Sequence, residues 1–115
     1  MARTPAARAR ASAAGSAAIF AALGDETRLG LVSRLSTDGP QSIARLTTGF
    51  QMSRQAITKH LRVLEDVGLV HSTAQGRESQ WALDQKRLAE ARRFLQQISS
   101  EWDSTLGRLK AFVER

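Results

Sequence analysis

The chain has 115 residues, 42% of them hydrophobic, which is room for one compact domain and not for two. It contains no cysteine, which excludes a disulfide framework, a thiolate metal site and thiol catalysis, and suits a reducing cytoplasm. Seventeen Lys and Arg against 11 Asp and Glu give a formal net charge of +6, so the balance points towards a polyanionic partner.

Residues 1–16 (MARTPAARARASAAGS) mix Ala with Arg and hold no large apolar side chain after Met1. Such a segment buries too little surface to offset its ordering entropy, so it reads as a flexible Ala/Arg-rich arm carrying Arg3, Arg8 and Arg10, with residues 17–115 as the folded domain. The apolar run 17–23 is too short to cross a membrane and fits the inner face of a first helix that stops at Gly24. No membrane contact is expected.

Asp25 can cap a second helix with Leu29, Val32 and Leu35 on its core face, ending at Asp38-Gly39-Pro40. Ser42 caps a short third helix holding Ile43 and Leu46, and residues 47–52, with Gly49, read as a turn. Ser53 restarts a helix in which Ile57, Leu61 and Leu64 follow helical spacing, with Gly68 placed for a left-handed cap. Two strand-like pieces, 69–73 and 78–83, flank residues 74–77 and predict a β-hairpin. From Asp84 on, Leu88, Ala91, Leu95, Ile98, Trp102, Thr105, Leu109 and Phe112 alternate spacings of three and four, a heptad-like stripe that Ser99-Ser100 could divide into two helices. The stripe is long for a monomer of this size to cover, which predicts a homodimer.

A short helix, a turn, a second amphipathic helix and a hairpin make a winged helix-turn-helix, in a mainly α chain with a small β component (α+β). With Ile57, Leu61 and Leu64 facing the core, the outer face starts at Ser53 and presents Arg54, Gln55, Thr58, Lys59 and Arg62. Gln55 and Thr58 suit base edges, Arg54 suits guanine or phosphate, and Lys59 and Arg62 suit phosphates. Arg77 sits at the hairpin tip, within reach of a minor groove or a phosphate. An ordinary solvated helix side is the plain alternative, but no acid precedes Asp25 and none lies between Asp38 and Glu65, which weighs for double-stranded DNA.

The segments FAALGDETRL (20–29), MSRQAITKHL (52–61) and LEDVGLV (64–70) resemble those of the ArsR/SmtB family of bacterial winged-helix repressors, over residues 18–83. The resemblance implies a sequence-specific transcriptional regulator that binds an inverted-repeat operator, with autoregulation as one role open to it. It also implies a dimer built from the first and last helices, here through Ile19, Phe20, Leu23, Leu88, Leu95, Ile98, Trp102 and Leu109. Many members sense metals through cysteines in the first helix of the motif or through histidine and carboxylate in the last helix. Here the segment 42–47 (SIARLT) has no thiol and no histidine follows Asp84, so the chain is similar to the non-metal-sensing branch.

No cofactor or catalysis is expected. His60 and His71 are too isolated to form a ligand cluster, Trp81 and Trp102 lie on apolar patterns as anchors, and Asp25 and Glu26 form no acid/base pair. The rival readings are a winged-helix protein-interaction module and a sensor of an unidentified small-molecule effector.

Overall fold

In a computed structural model that describes residues 4–114, five helices surround a three-stranded antiparallel sheet. The helices are α1 (Pro5–Leu23), α2 (Glu26–Asp38), α3 (Ile43–Thr47), α4 (Arg54–Asp66) and α5 (Gln85–Val113). The strands are β1 (Gln41–Ser42), β2 (Val70–Gln75) and β3 (Glu78–Leu83), in the order β1-β3-β2.

Each of the five described helix starts is capped by a side chain that the sequence offers. Asp25, Ser42, Ser53 and Asp84 each accept a hydrogen bond from the amide three residues on, satisfying a donor that has no partner within its helix. The fifth start departs from expectation. Thr4 accepts from the Ala7 amide and Pro5 occupies the first turn, so α1 runs through most of the segment read as a loose arm, and residue 16 falls inside the helix. The reason is intrinsic: Ala and Arg are strong helix formers, and a Thr-Pro start needs no apolar face behind it. Arg3 lies outside the described residues.

The core gathers Ile19 from α1, Leu31, Val32 and Leu35 from α2, Leu46 from α3, and Ile57, Leu61 and Leu64 from α4, closed by Leu69, Val70 and Trp81. Each large apolar side chain removed from water here contributes about 1.5–3 kcal/mol. Two expectations change. Leu29 points outwards, 54% exposed, and Leu31 takes the core position, because α2 meets the core along 31, 32 and 35. Ile19, expected on a dimer face, is 1% exposed within the single chain and belongs to its own core.

Val70 pairs with Leu83 and Gln75 with Glu78, leaving Gly76 and Arg77 as a two-residue turn, tighter than the four-residue link expected. Gly76 has φ +62°, which the first position of such a turn requires and which only glycine adopts cheaply. β1 pairs Gln41 with Trp81 and so ties the start of α3 to the central strand. Two residues have no period, so this strand is invisible to pattern reading.

The helix α5 is unbroken through Ser99-Ser100 and spans 29 residues, about 43 Å at 1.5 Å per residue. Its first turns pack on α1, with Ala91 buried and Leu88 and Phe94 partly so, while Leu95, Ile98, Trp102 and Leu109 are exposed. The projecting half explains a radius of gyration of 18.6 Å, against about 13 Å for a compact domain of this length.

Candidate nucleic-acid interface

The helix α4 is amphipathic by construction. Ile57, Leu61 and Leu64 are fully buried, which turns the opposite side of the helix to solvent from its first residue. Ser53 fixes where the helix begins, its hydroxyl accepting from the Ala56 amide at 3.1 Å. Ahead of it the turn is held by Arg34 of α2, whose guanidinium donates to the carbonyls of Arg45 and Leu46 at 2.9 Å and to that of Thr48. The Arg45 carbonyl also accepts from the Thr48 amide at 3.2 Å, and the guanidinium ties the end of α3 and the start of the turn to α2. The same guanidinium lies 5.8 Å from the ring centroid of Phe50. Sequence reading missed Arg34, since its partners are backbone atoms 11 to 14 residues away.

Arg54, Thr58, Arg62 and Arg77 line one cleft of about 330 Å³, together with Ile43, Ala44, Glu78, Ser79 and Trp81. The hairpin tip is thereby brought beside the N-terminal half of α4. Gln55 and Lys59 are exposed on α4 and do not line the cleft. The Thr58 hydroxyl donates to the Arg54 carbonyl at 2.8 Å, and its oxygen lone pairs stay available.

Arg62 is more occupied than its position implied. Its guanidinium donates to Glu65 at 2.9 Å and lies 5.6 Å from the ring centroid of Trp81. Glu65 also accepts from the Ser72 hydroxyl at 3.4 Å. Arg62 and Glu65 therefore brace the hairpin against α4, a role that a helical wheel does not reveal.

The two histidines each meet one aspartate. At the root of the hairpin, His71 Nε2 and Asp84 Oδ2 are 2.5 Å apart. Amide donation from Arg87, then the bond to His71, holds the Asp84 carboxyl below the usual aspartate value. Asp25 is lowered likewise, first by the Arg28 amide that it caps. Arg28 donates to the Ala22 carbonyl at 2.5 Å and to His60 Nδ1 at 3.4 Å, with Asp25 3.7 Å from that nitrogen. A guanidinium can only donate, so His60 Nδ1 is the acceptor in this arrangement, and the end of α1 is linked to α4 through α2.

Among the described residues no group of three or more His, Asp or Glu side chains could hold a metal ion, and the whole chain has no cysteine. None of the described helices is long and apolar enough to cross a membrane.

The same region is matched by sequence comparison. A helix-turn-helix domain family model matches residues 23–73, from the end of α1 into β2. An uncharacterized HTH-type transcriptional regulator of Bacillus subtilis, YuzN, is 47% identical over 66 residues, covering 52% of this chain and 72% of that protein. The arsenical resistance operon repressor of Escherichia coli is 39% identical over 59 residues, covering 51% of this chain and 50% of that one. The solved structure of an ArsR-like transcriptional regulator from Rhodococcus sp. RHA1 superposes with a TM-score of 0.72 at 40% identity, covering 86% of this chain and 92% of that one. The winged helix-turn-helix is thus shared in sequence and in fold, and this chain is a DNA-binding transcriptional regulator of the ArsR family.

Proposed function

We propose that the chain is a cytoplasmic, homodimeric repressor that occupies an inverted-repeat operator and has no catalytic activity. The observation that carries the reading is the convergence of Arg54, Thr58, Arg62 and Arg77 on one cleft, with Gln55 and Lys59 exposed beside it. In this reading α4 enters the major groove, Arg54, Gln55 and Thr58 meet base edges, Lys59 meets phosphate, and Arg77 reaches the adjoining backbone or minor groove. Ser53 contributes by capping α4, and Arg62 by bracing the hairpin as well as by its charge.

Dimerisation is supported by the exposed stripe of α5 and by an apolar groove of about 420 Å³ lined by Phe20, Leu23, Leu88, Ala91 and Leu95. A two-fold axis through this region sets the two α4 helices roughly 34 Å apart, one turn of DNA. Residues 17–115 carry both tasks, and the part of α1 ahead of Gly15 and the buried Ser16 extends as an arm beyond the DNA-binding unit.

The test is fluorescence anisotropy with a duplex from the region upstream of the chain's own coding sequence, a scrambled duplex as control, and salt as the variable. With six to eight phosphates neutralised by the dimer, log affinity falls against log salt with a slope of roughly −5 to −7, and the upstream duplex is favoured throughout. Equal binding of both duplexes, or none at low salt, overturns the reading.

A further inference from the structure

The two sides of α5 differ. Leu95 and Ser99 line the apolar groove, whereas Arg93 and Gln97 lie two residues out of phase with them, about half a turn around the helix. On that far side is a second hollow of about 410 Å³, lined by Gly15 and Ser16 of α1 and by Arg87, Glu90, Arg93, Phe94 and Gln97 of α5. Gly15 leaves room there, since a Cβ at that position would meet nothing within 4 Å.

Its chemistry is asymmetric. Arg93 has no hydrogen-bond or ion-pair partner among the described residues, while Glu90, the one acid in the lining, is already paired with Arg87 Nη1 at 2.7 Å. Phe94 adds a flat apolar wall, held by its ring contact with Phe20 at 6.0 Å between centroids. One free cation, one half-neutralised cation, a buried Ser16 and an aromatic wall make a setting for an anion on an apolar body.

The hollow is also wired to the DNA-binding face. Arg87 Nε donates to the Val67 carbonyl at 2.8 Å, at the cap of α4, and its side chain packs over Gly68, where φ is +79°. We propose that this hollow is an effector site for a small organic anion, a carboxylate on a flat apolar body, whose binding draws Arg87 from Val67 and weakens operator binding. The site is physically separate from the DNA face, and its regulatory role rests on the DNA-binding reading above.

The test uses the full chain and benzoate, with benzamide as the neutral isostere and sodium chloride matched for ionic strength. Benzoate up to about 10 mM shifts the backbone amides of Gly15, Arg93 and Phe94, and through Arg87 those of Val67 and Gly68, whereas benzamide does not. Arg93→Gln abolishes these shifts and leaves operator affinity without benzoate unchanged. In anisotropy, benzoate weakens the operator complex of the wild type about five-fold or more, and that of Arg93→Gln no more than chloride does. A flat titration, or shifts that persist in Arg93→Gln, overturns the site. Binding with unchanged or tighter operator affinity overturns the coupling. Loss of the DNA-binding reading shows itself separately, as failure to bind duplex in the absence of benzoate.

Discussion

Arg54, Gln55 and Lys59 share one helix but not one task. Arg54→Ala and Gln55→Ala are expected to cost about 1–3 kcal/mol on the operator and to relax discrimination against the scrambled duplex, because a lost base contact leaves its partner edge unpaired. Lys59→Ala is expected to weaken both duplexes alike and to lower the salt slope by about one unit, which titrations at several salt concentrations measure. At Asp84 the prediction concerns pH. Its folded carboxyl titrates below the ordinary value of 3.8, so its stabilising effect is complete above that value and disappears as pH falls through the lowered one. Asp84→Asn keeps an acceptor for the Arg87 amide but no charge. The gap in urea midpoint between wild type and Asp84→Asn is therefore expected to be fully present above pH 3.8 and to close as the pH falls below it.

At the scale of the element, Gly68 ends α4 with φ +79°, and a Cβ there would meet only ordinary contacts with Arg87 at 3.6–3.7 Å. Gly68→Ala is thus a test of backbone conformation alone, expected to cost about 1–2 kcal/mol in denaturant unfolding. The position of Gly68 was legible in the sequence, as were the caps Asp25, Ser42 and Ser53, because these signals are local. The inner face of α4 was equally legible, since Ile57, Leu61 and Leu64 keep one period. What escaped depends on distant partners: β1 exists through Trp81, the Arg62 brace through Glu65 and Trp81, and the choice of Leu31 over Leu29 through the direction in which α2 meets its neighbours. The extent of α1 had a local signal, Thr4-Pro5 followed by helix formers, but no apolar face to announce it. Of the outward residues of α4, sequence spacing identified the face, and the fold alone divided it into cleft-lining and freely exposed positions.

The whole molecule measures 65 × 40 × 20 Å, an elongated outline for a chain whose core lies entirely at one end of α5. Trp102 is 62% exposed and contributes nothing to that core, so Trp102→Glu leaves the single chain folded. Sedimentation of the wild type at micromolar concentration is expected to give twice the chain mass, and Trp102→Glu the chain mass itself, with unchanged helical circular dichroism. A wild-type chain at monomer mass contradicts the dimer reading.

Asp84 receives the Arg87 amide at the start of α5 and meets His71 of β2, while its own amide donates to the Leu69 carbonyl at 2.8 Å. The root of the hairpin and the first turn of α5 therefore share one residue, and neither can open without disturbing the other. Hydrogen exchange is the observable consequence: the Arg87 and Leu88 amides are expected to exchange in step with those of the hairpin pairs nearest Val70 and Leu83, not with the middle of the helix to which they belong. The unit of local unfolding thus cuts across the boundary between strand and helix.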